Sequence, residues 1–213
     1  AKIAATAALD VMREKNRRLP LMVQVTMETT GTMLVGTEMA AAIVALEALP
    51  IDVLGMNCAT GPELMRQHVE VLSAQSPRYL SVQPNAGLPV LHEGHTHFPL
   101  SAQAIAKAHV DFVTALGINI VGGCCGTTPQ HIKLVEEALR GVKPRPREAF
   151  RRRPAAANAM VSSLYSAESA RQDLSILIIG ERTNTNGSKK FKEALIAGDI
   201  DTCAAMGREQ VKE

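Results

Sequence analysis

The sequence is poor in aromatic residues: they make up 3% of the chain, and tryptophan is absent. Because 46% of the residues are nonetheless hydrophobic, we expect a core of aliphatic side chains. No apolar run approaches the roughly 20 residues that span a bilayer, and the amino end does not resemble a signal peptide. A formal net charge of +2 gives no argument for a nucleic-acid partner. We therefore expect neither a membrane nor a nucleic-acid partner.

Cysteine is also scarce, with four residues in 213. Two of them, Cys124 and Cys125, are adjacent, which makes a poor framework for a secreted, disulfide-bonded fold. This usage predicts a cytoplasmic protein whose thiols serve metal binding or catalysis. The chain begins with Ala1 and ends inside a helical pattern, "GREQVKE", so we expect it to be a piece of a longer protein.

One unit recurs between residues 21 and 141: a short apolar strand, a polar or glycine-rich turn, and a helix. This alternation predicts an α/β fold with a parallel sheet. Four such units are half of a (βα)8 TIM barrel. An open doubly wound sheet is the alternative, weakened because no Gly-x-Gly-x-x-Gly follows the first strand. The predicted strands are 21–28, 51–58, 79–85 and 118–125; the predicted helices are 1–16, 37–49, 62–75, 101–116 and 129–140.

The composition changes after residue 141. Residues 142–173 are rich in proline, alanine and arginine, and a basic cluster includes Arg145, Arg147 and residues 151–153. A solvated interdomain linker is favoured over a nucleic-acid patch because interleaved aromatic residues are absent. A new apolar strand at 174–180 and a following helix predict that residues 174–213 begin a second α/β domain.

Each predicted strand of the first domain ends in a group capable of chemistry: Glu28, Cys58, Asn85, and Cys124 with Cys125. The carboxyl ends of parallel strands share one face, so distant cysteines can meet there. Three thiolates form a soft ligand set for zinc with one open tetrahedral position. Two alternatives remain open: Cys58 as a small buried hydrophobe, and a vicinal disulfide between Cys124 and Cys125. Cys203, in a helical pattern, is predicted to be structural.

Four motifs resemble a known family. "GMNCATGP", "QPNAGLP" and "GGCCGTTPQHI" are similar, in order and spacing, to the homocysteine-binding domain of the cobalamin-dependent methionine synthases. "IIGERTN", at 178–184, resembles the opening strand of their pterin-binding barrel. The resemblance implies the last four strands of a zinc-bearing barrel (1–141), a linker, and the first βα unit of a second barrel.

The resemblance also implies an activity. Cys58, Cys124 and Cys125 would bind zinc, and homocysteine sulfur would take the fourth position. Its thiolate would accept a methyl group from cobalamin to give methionine, and 5-methyltetrahydrofolate would recharge the cobalamin. The cobalamin would be bound by a domain of the full-length chain outside this sequence, and this stretch alone would be inactive.

Other residues have two interpretations each. Asn85 is either a group at the open metal position or a turn residue, and Glu28 either binds the substrate amino group or is structural. Glu181 and Asn184 match the start of the family's pterin-binding residues, or form an ordinary polar loop. His92, His95 and His97 are expected in a mobile, solvated loop rather than in a second metal site.

Two other functions are compatible with the sequence. The first is a cobalamin-independent homocysteine S-methyltransferase that uses betaine or S-methylmethionine. The second is a zinc- or thiol-binding protein without methyl transfer.

Overall fold

The computed structural model describes residues 1–92, 94–147, 160–172, 177, 180 and 182–212. The chain divides into two compact units, Ala1–Ala170 and Arg171–Glu213. Among the described residues, no helix has both the length and the apolarity required to cross a membrane.

The described part of the first unit contains five helices and eight strands. The helices are α1 (Lys2–Glu14), α2 (Met39–Glu47), α3 (Pro62–Gln75), α4 (Ala102–Leu116) and α5 (Pro129–Leu139), and the strands are β1 (Met22–Val25), β2 (Val53–Asn57), β3 (Tyr79–Gln83), β4 (Val90–His92), β5 (His95–His97), β6 (Ile120–Val121), β7 (Met160–Ser162) and β8 (Ala167–Ser169).

The unit is built around a parallel four-stranded sheet with strand order β1-β2-β3-β6. This confirms the predicted α/β fold with a parallel sheet. Two hairpins, β4–β5 and β7–β8, are antiparallel.

The helix ends follow the predicted signals. Pro62 and Pro129 occupy first-turn positions, where a missing N–H is harmless. The Ser101 hydroxyl accepts a hydrogen bond from the Ala104 amide at the start of α4, and Gly117 ends that helix with a φ of 68°. The strand at 118–125 was predicted too long: the Ile118 amide donates to the Phe112 carbonyl at the end of α4 rather than to a neighbouring strand.

The core is aliphatic, as the composition predicts. Its fully buried side chains are mostly methionine, leucine, isoleucine and valine, and Phe112 is the large aromatic among them. Each such side chain contributes about 1.5 to 3 kcal/mol through removal from water. Met27, Met56 and Met65 are completely inaccessible, which suits irregular gaps between sheet and helices.

Two arginines of the predicted linker are bound to helix ends, contrary to the solvated role expected for them. Arg147 is 7% exposed, and its guanidinium donates to the Ser76 carbonyl, 2.8 Å away, and to the Arg78 carbonyl. The Arg145 guanidinium donates to the Ala115 carbonyl at 2.8 Å. Cations favour the carbonyl-rich carboxyl ends of helices, here those of α3 and α4. Residues 151–153 lie outside the described residues.

The β7–β8 hairpin also lies within the predicted linker, and it packs against α2. The Tyr165 carbonyl accepts a hydrogen bond from the Glu38 amide at 2.8 Å, which satisfies one free donor at the start of α2. The Tyr165 ring lies against Gly36, where an added Cβ would come within 3.2 Å of it. The hairpin of the predicted linker is therefore folded as part of the first unit.

The second unit contains two helices among its described residues, α6 (Lys189–Ile196) and α7 (Ile200–Lys212). The Ser188 hydroxyl caps α6 by accepting a hydrogen bond from the Phe191 amide. The strand predicted at 174–180 falls mainly outside the described residues.

Substitution of Gly36 tests whether its contact with the Tyr165 ring holds the β7–β8 hairpin in place. Gly31 and Gly36 have φ angles of 86° and 88°, but an added Cβ meets nothing within 4 Å at Gly31. Alanine should cost about 1 to 2 kcal/mol at either position through left-handed strain. We expect only Gly36→Ala also to displace Tyr165 and to accelerate hydrogen exchange at the Glu38 amide. Equal exchange at Glu38 in the two variants would show that the ring contact does not hold the hairpin.

Candidate metal centre

The sheet order separates the two cysteine loops by one strand. Cys58 follows β2, whereas Cys124 and Cys125 follow β6, and β3 lies between these strands. Neighbouring strands are about 4.8 Å apart, so the loops start roughly 10 Å from each other. Both must lean over the end of β3 for the sulfurs to meet.

The first loop leans because its backbone leaves the extended conformation immediately. Cys58 and Ala59 have φ angles of 65° and 60°, which L residues rarely adopt. The Cys58 amide donates to the Gln83 carbonyl at 3.1 Å, and the Thr60 carbonyl accepts from the Asn85 amide at 3.0 Å. These bonds draw the end of β2 towards the segment after β3.

The second loop is bound to the same segment from the other side. The Cys124 amide donates to the Pro84 carbonyl and the Ala86 amide donates to the Cys125 carbonyl, both at 2.9 Å. The buried Asn85 side chain adds a third bond, in which its Oδ1 accepts from the Cys125 amide at 3.0 Å. Residues 84–86 thus hold both cysteine loops.

Close packing explains two of the glycines around Cys124 and Cys125. A Cβ at Gly123 would lie 2.4 Å from the Thr127 side chain, and one at Gly126 would lie 2.2 Å from the Phe98 side chain. The Thr127 hydroxyl uses this proximity to donate to the Cys124 carbonyl at 2.7 Å. Larger residues at these positions would displace the loop that carries the sulfurs.

The three thiols form one group, which we call the cysteine cluster: Cys58, Cys124 and Cys125. Their Sγ atoms all lie within 4.8 Å of one another, with Cys58 to Cys125 at 3.7 Å and Cys124 to Cys125 at 4.0 Å. All three are free thiols, so the vicinal disulfide considered above is not formed. Sulfurs around a tetrahedral zinc ion, with bonds near 2.3 Å, are separated by about 3.8 Å. The cluster therefore fits such an ion with little adjustment.

The thiols of the cluster differ in their tendency to ionise. Burial raises the pKa of the Cys58 thiol, but hydrogen bonds from the Ala59 amide, the neighbouring thiols and Asn85 outweigh it and lower the pKa overall. Hydrogen bonding to Cys58 and, as the next largest cause, to Cys124 raises the pKa of Cys125 to about 11. Three thiolates in contact repel one another, and a bound divalent cation is what would allow all three to ionise.

Two neighbours of the cluster were not identified from the sequence. The Asn57 Nδ2 amide donates to the Cys124 sulfur at 3.8 Å. His109 on α4 is fully buried, and its Nε2–H donates to the Gly122 carbonyl at 2.8 Å. Burial lowers the pKa of His109 to about 4, so its ring is neutral at physiological pH. The sequence feature that could have identified His109 as a buried residue is its place on the apolar face of α4, four residues after Ile105 and three before Phe112.

The other predicted residues lie outside the cluster. Glu28 is half-buried after β1, and its amide donates to the Thr32 carbonyl. Cys203 is half-buried on α7, in the second unit, near the Phe191 carbonyl. Asn184 forms a turn in which its Oδ1 accepts from the Asn186 amide at 3.0 Å. Glu181 lies outside the described residues.

The predicted histidine loop contains an antiparallel hairpin, in which His92 is paired with His95. His95 and His97 are exposed. In the part of the chain that the structure describes, the cysteine cluster is the one group of three or more residues placed to hold a metal. The histidine segment is thus more regular than predicted.

Replacement of all three histidines of the hairpin by alanine tests their independence from the metal site. We expect zinc bound per chain to be unchanged, because the cysteine cluster does not use them. Zinc content by atomic absorption, compared with the unsubstituted chain, measures this. A loss of half the zinc would place a ligand in the hairpin.

The chain is similar to known proteins over its whole length. The homocysteine S-methyltransferase family profile matches residues 2–139. The chain is 44% identical over 212 residues to methionine synthase of Mycobacterium tuberculosis (strain ATCC 25618 / H37Rv), covering 100% of this chain and 17% of that relative. It is 44% identical over 215 residues to methionine synthase of Mycobacterium leprae (strain TN), covering 99% of this chain and 17% of that relative.

Among solved structures, that of the oxidized form of the homocysteine methyltransferase MmuM from Escherichia coli is similar. It has 22% sequence identity and a TM-score of 0.44, covering 62% of this chain and 40% of that one. The chain spans about a sixth of the length of the two mycobacterial relatives. The family profile, by contrast, covers well over half of this chain and includes all three residues of the cysteine cluster. The chain therefore belongs to the homocysteine S-methyltransferase family.

Proposed function

We propose that the cysteine cluster binds one zinc ion and, through it, the thiol of homocysteine, as the homocysteine half of a methionine synthase. The observation that carries this proposal is the convergence of three free thiols from two distant loops within 4.8 Å. Membership of the homocysteine S-methyltransferase family supplies the substrate.

The ligand set suits activation of a thiol substrate. A free thiol has a pKa of about 8.5 and is mostly protonated at neutral pH. A bound zinc ion would lower that pKa and keep the substrate as a thiolate. With three protein thiolates around a 2+ ion, the site would carry a net charge near −1 and would leave the substrate sulfur nucleophilic. That sulfur would form a bond to a methyl carbon while the bond between the carbon and its donor breaks, and the electron pair of the broken bond would stay with the donor.

We propose that the methyl donor is methyl-cobalamin, held by another domain of the full-length protein and recharged from 5-methyltetrahydrofolate. Its support is the 44% identity to two methionine synthases across essentially the whole chain. The motif "IIGERTN" adds support, with Glu181 and Asn184 as proposed pterin-binding residues in a domain that begins near residue 174. The alternative donors are betaine and S-methylmethionine, which cobalamin-independent homocysteine S-methyltransferases use.

Two further residues are proposed to serve the substrate. Asn85 borders the cluster on both sides: its Oδ1 binds the Cys125 amide, and its side chain helps lower the pKa of Cys58. We propose that it faces the substrate sulfur as well. Glu28, after the neighbouring strand β1, is proposed to hold the substrate amino group.

Serine substitutions test the metal site. Cys58→Ser, Cys124→Ser and Cys125→Ser should each weaken zinc binding strongly, because a hydroxyl is a harder and less acidic ligand than a thiol. Cys203→Ser is the matched control, and we expect it to retain one zinc ion per chain. The measurement is zinc affinity by competition with a chromophoric chelator. Full affinity in any of the three cluster variants would contradict the assignment.

Zinc K-edge absorption with and without homocysteine tests the substrate. We expect the number of sulfur ligands to rise from three to four when homocysteine is added, since its thiol takes the open position. Methionine, whose thioether is a weak ligand, serves as the control and should leave three. An unchanged count with homocysteine would favour a zinc-binding protein without methyl transfer.

A further inference from the structure

Strand β6 leads into the loop that carries Cys124 and Cys125, yet it is weakly held by the sheet. It consists of Ile120 and Val121 alone, and it pairs with β3 at two positions. Among the described residues, β6 has β3 as its sole neighbour in the sheet. The Gly122 amide still donates to the Val82 carbonyl at 3.2 Å. The Gly122 carbonyl, however, needs a donor from outside the sheet.

His109 supplies that donor. Its Nε2 lies 2.8 Å from the Gly122 oxygen, and the residue is completely inaccessible to solvent. The ring stands edge-on to Phe112, with centroids 6.0 Å apart and planes at 73°. The imidazole is therefore fixed in orientation by the same helix that presents it.

The way His109 is buried sets it apart from an ordinary core residue. Its second ring nitrogen, Nδ1, is buried and has no hydrogen-bond partner among the residues that the structure describes. An unpartnered buried polar atom costs about 1 to 3 kcal/mol, and an aliphatic side chain on α4 would avoid that cost. The compensating contact is the bond to Gly122, two residues before Cys124.

We propose that His109 is a positioning residue of the metal centre, which fixes the Gly122 carbonyl and thereby the loop that presents Cys124 and Cys125. This rests on the proposed zinc site and deepens it. Groups outside the ligand set commonly change metal affinity by about 10- to 100-fold when they are removed. His109 acts through the backbone of the loop and does not itself touch the ion.

Three substitutions distinguish positioning from packing. His109→Leu removes the donor and fills the space. His109→Gln keeps an amide N–H at about the reach of Nε2, whereas His109→Asn keeps an amide that is too short. His68→Leu is the matched control, because His68 is also a buried helical histidine but lies on α3 with its ring near Gln67.

The measurements are zinc affinity and the thiolate-to-metal charge-transfer bands of the cobalt(II)-substituted chain, with thermal stability recorded in parallel. We expect His109→Leu and His109→Asn to weaken zinc binding about tenfold or more and to alter the bands. His109→Gln should stay within about threefold of the unsubstituted chain, and His68→Leu should leave affinity unchanged whatever its stability.

The outcomes separate the two proposals. Wild-type affinity and spectra in His109→Leu would overturn the positioning role while leaving the zinc site intact. If His109→Leu does not fold, equal affinities in His109→Gln and His109→Asn would overturn it instead. An unsubstituted chain that binds no zinc would overturn the metal centre itself, and the role of His109 with it.

Discussion

The site depends on the backbone of residues 84–86, the segment that follows β3. Two loops that begin on either side of this strand both bind to it through main-chain hydrogen bonds, and the Asn85 side chain adds a further bond. Main-chain bonds of this kind set position with little freedom, because neither the donor nor the acceptor group sits on a rotatable side chain. The sulfurs meet because both loops bind to the same three residues, and the order of the parallel strands makes that segment available.

Much of this arrangement was predictable from the sequence because it depends on periodicity and end signals. The helices and parallel strands follow from the alternation of apolar strands with capped helices, and Pro62, Pro129 and Gly117 mark their ends in the structure. The convergence of Cys58 with Cys124 and Cys125 was predictable from the rule that parallel strands share one functional face. That the three thiols are free, and how far apart their sulfurs lie, could be learned only from the structure.

The features that were missed depend on long-range pairing. Nothing in the local sequence distinguishes Arg147, whose guanidinium is buried against α3, from the arginines that follow it. The β7–β8 hairpin has few residues and gains its place through contact with Gly36 and Glu38, more than 120 positions earlier. In the sequence, His109 is one more position on the apolar face of α4. Its role becomes evident only in the structure, where its ring lies within hydrogen-bond distance of the Gly122 carbonyl. In each case the partner lies far away in sequence, where a local pattern carries no information.

The left-handed backbone at Cys58 and Ala59 has an energetic consequence. Two L residues in that region together disfavour the folded state by about 2 to 4 kcal/mol. Structural zinc sites in small peptides have a binding free energy of about 10 kcal/mol or more. The free energy of binding a cation to these sulfurs would therefore exceed the strain several-fold. Glycine at position 58 would relax the turn and give a sturdier polypeptide with one ligand fewer. Natural selection for a working site would therefore oppose a replacement that selection for thermal robustness alone would favour.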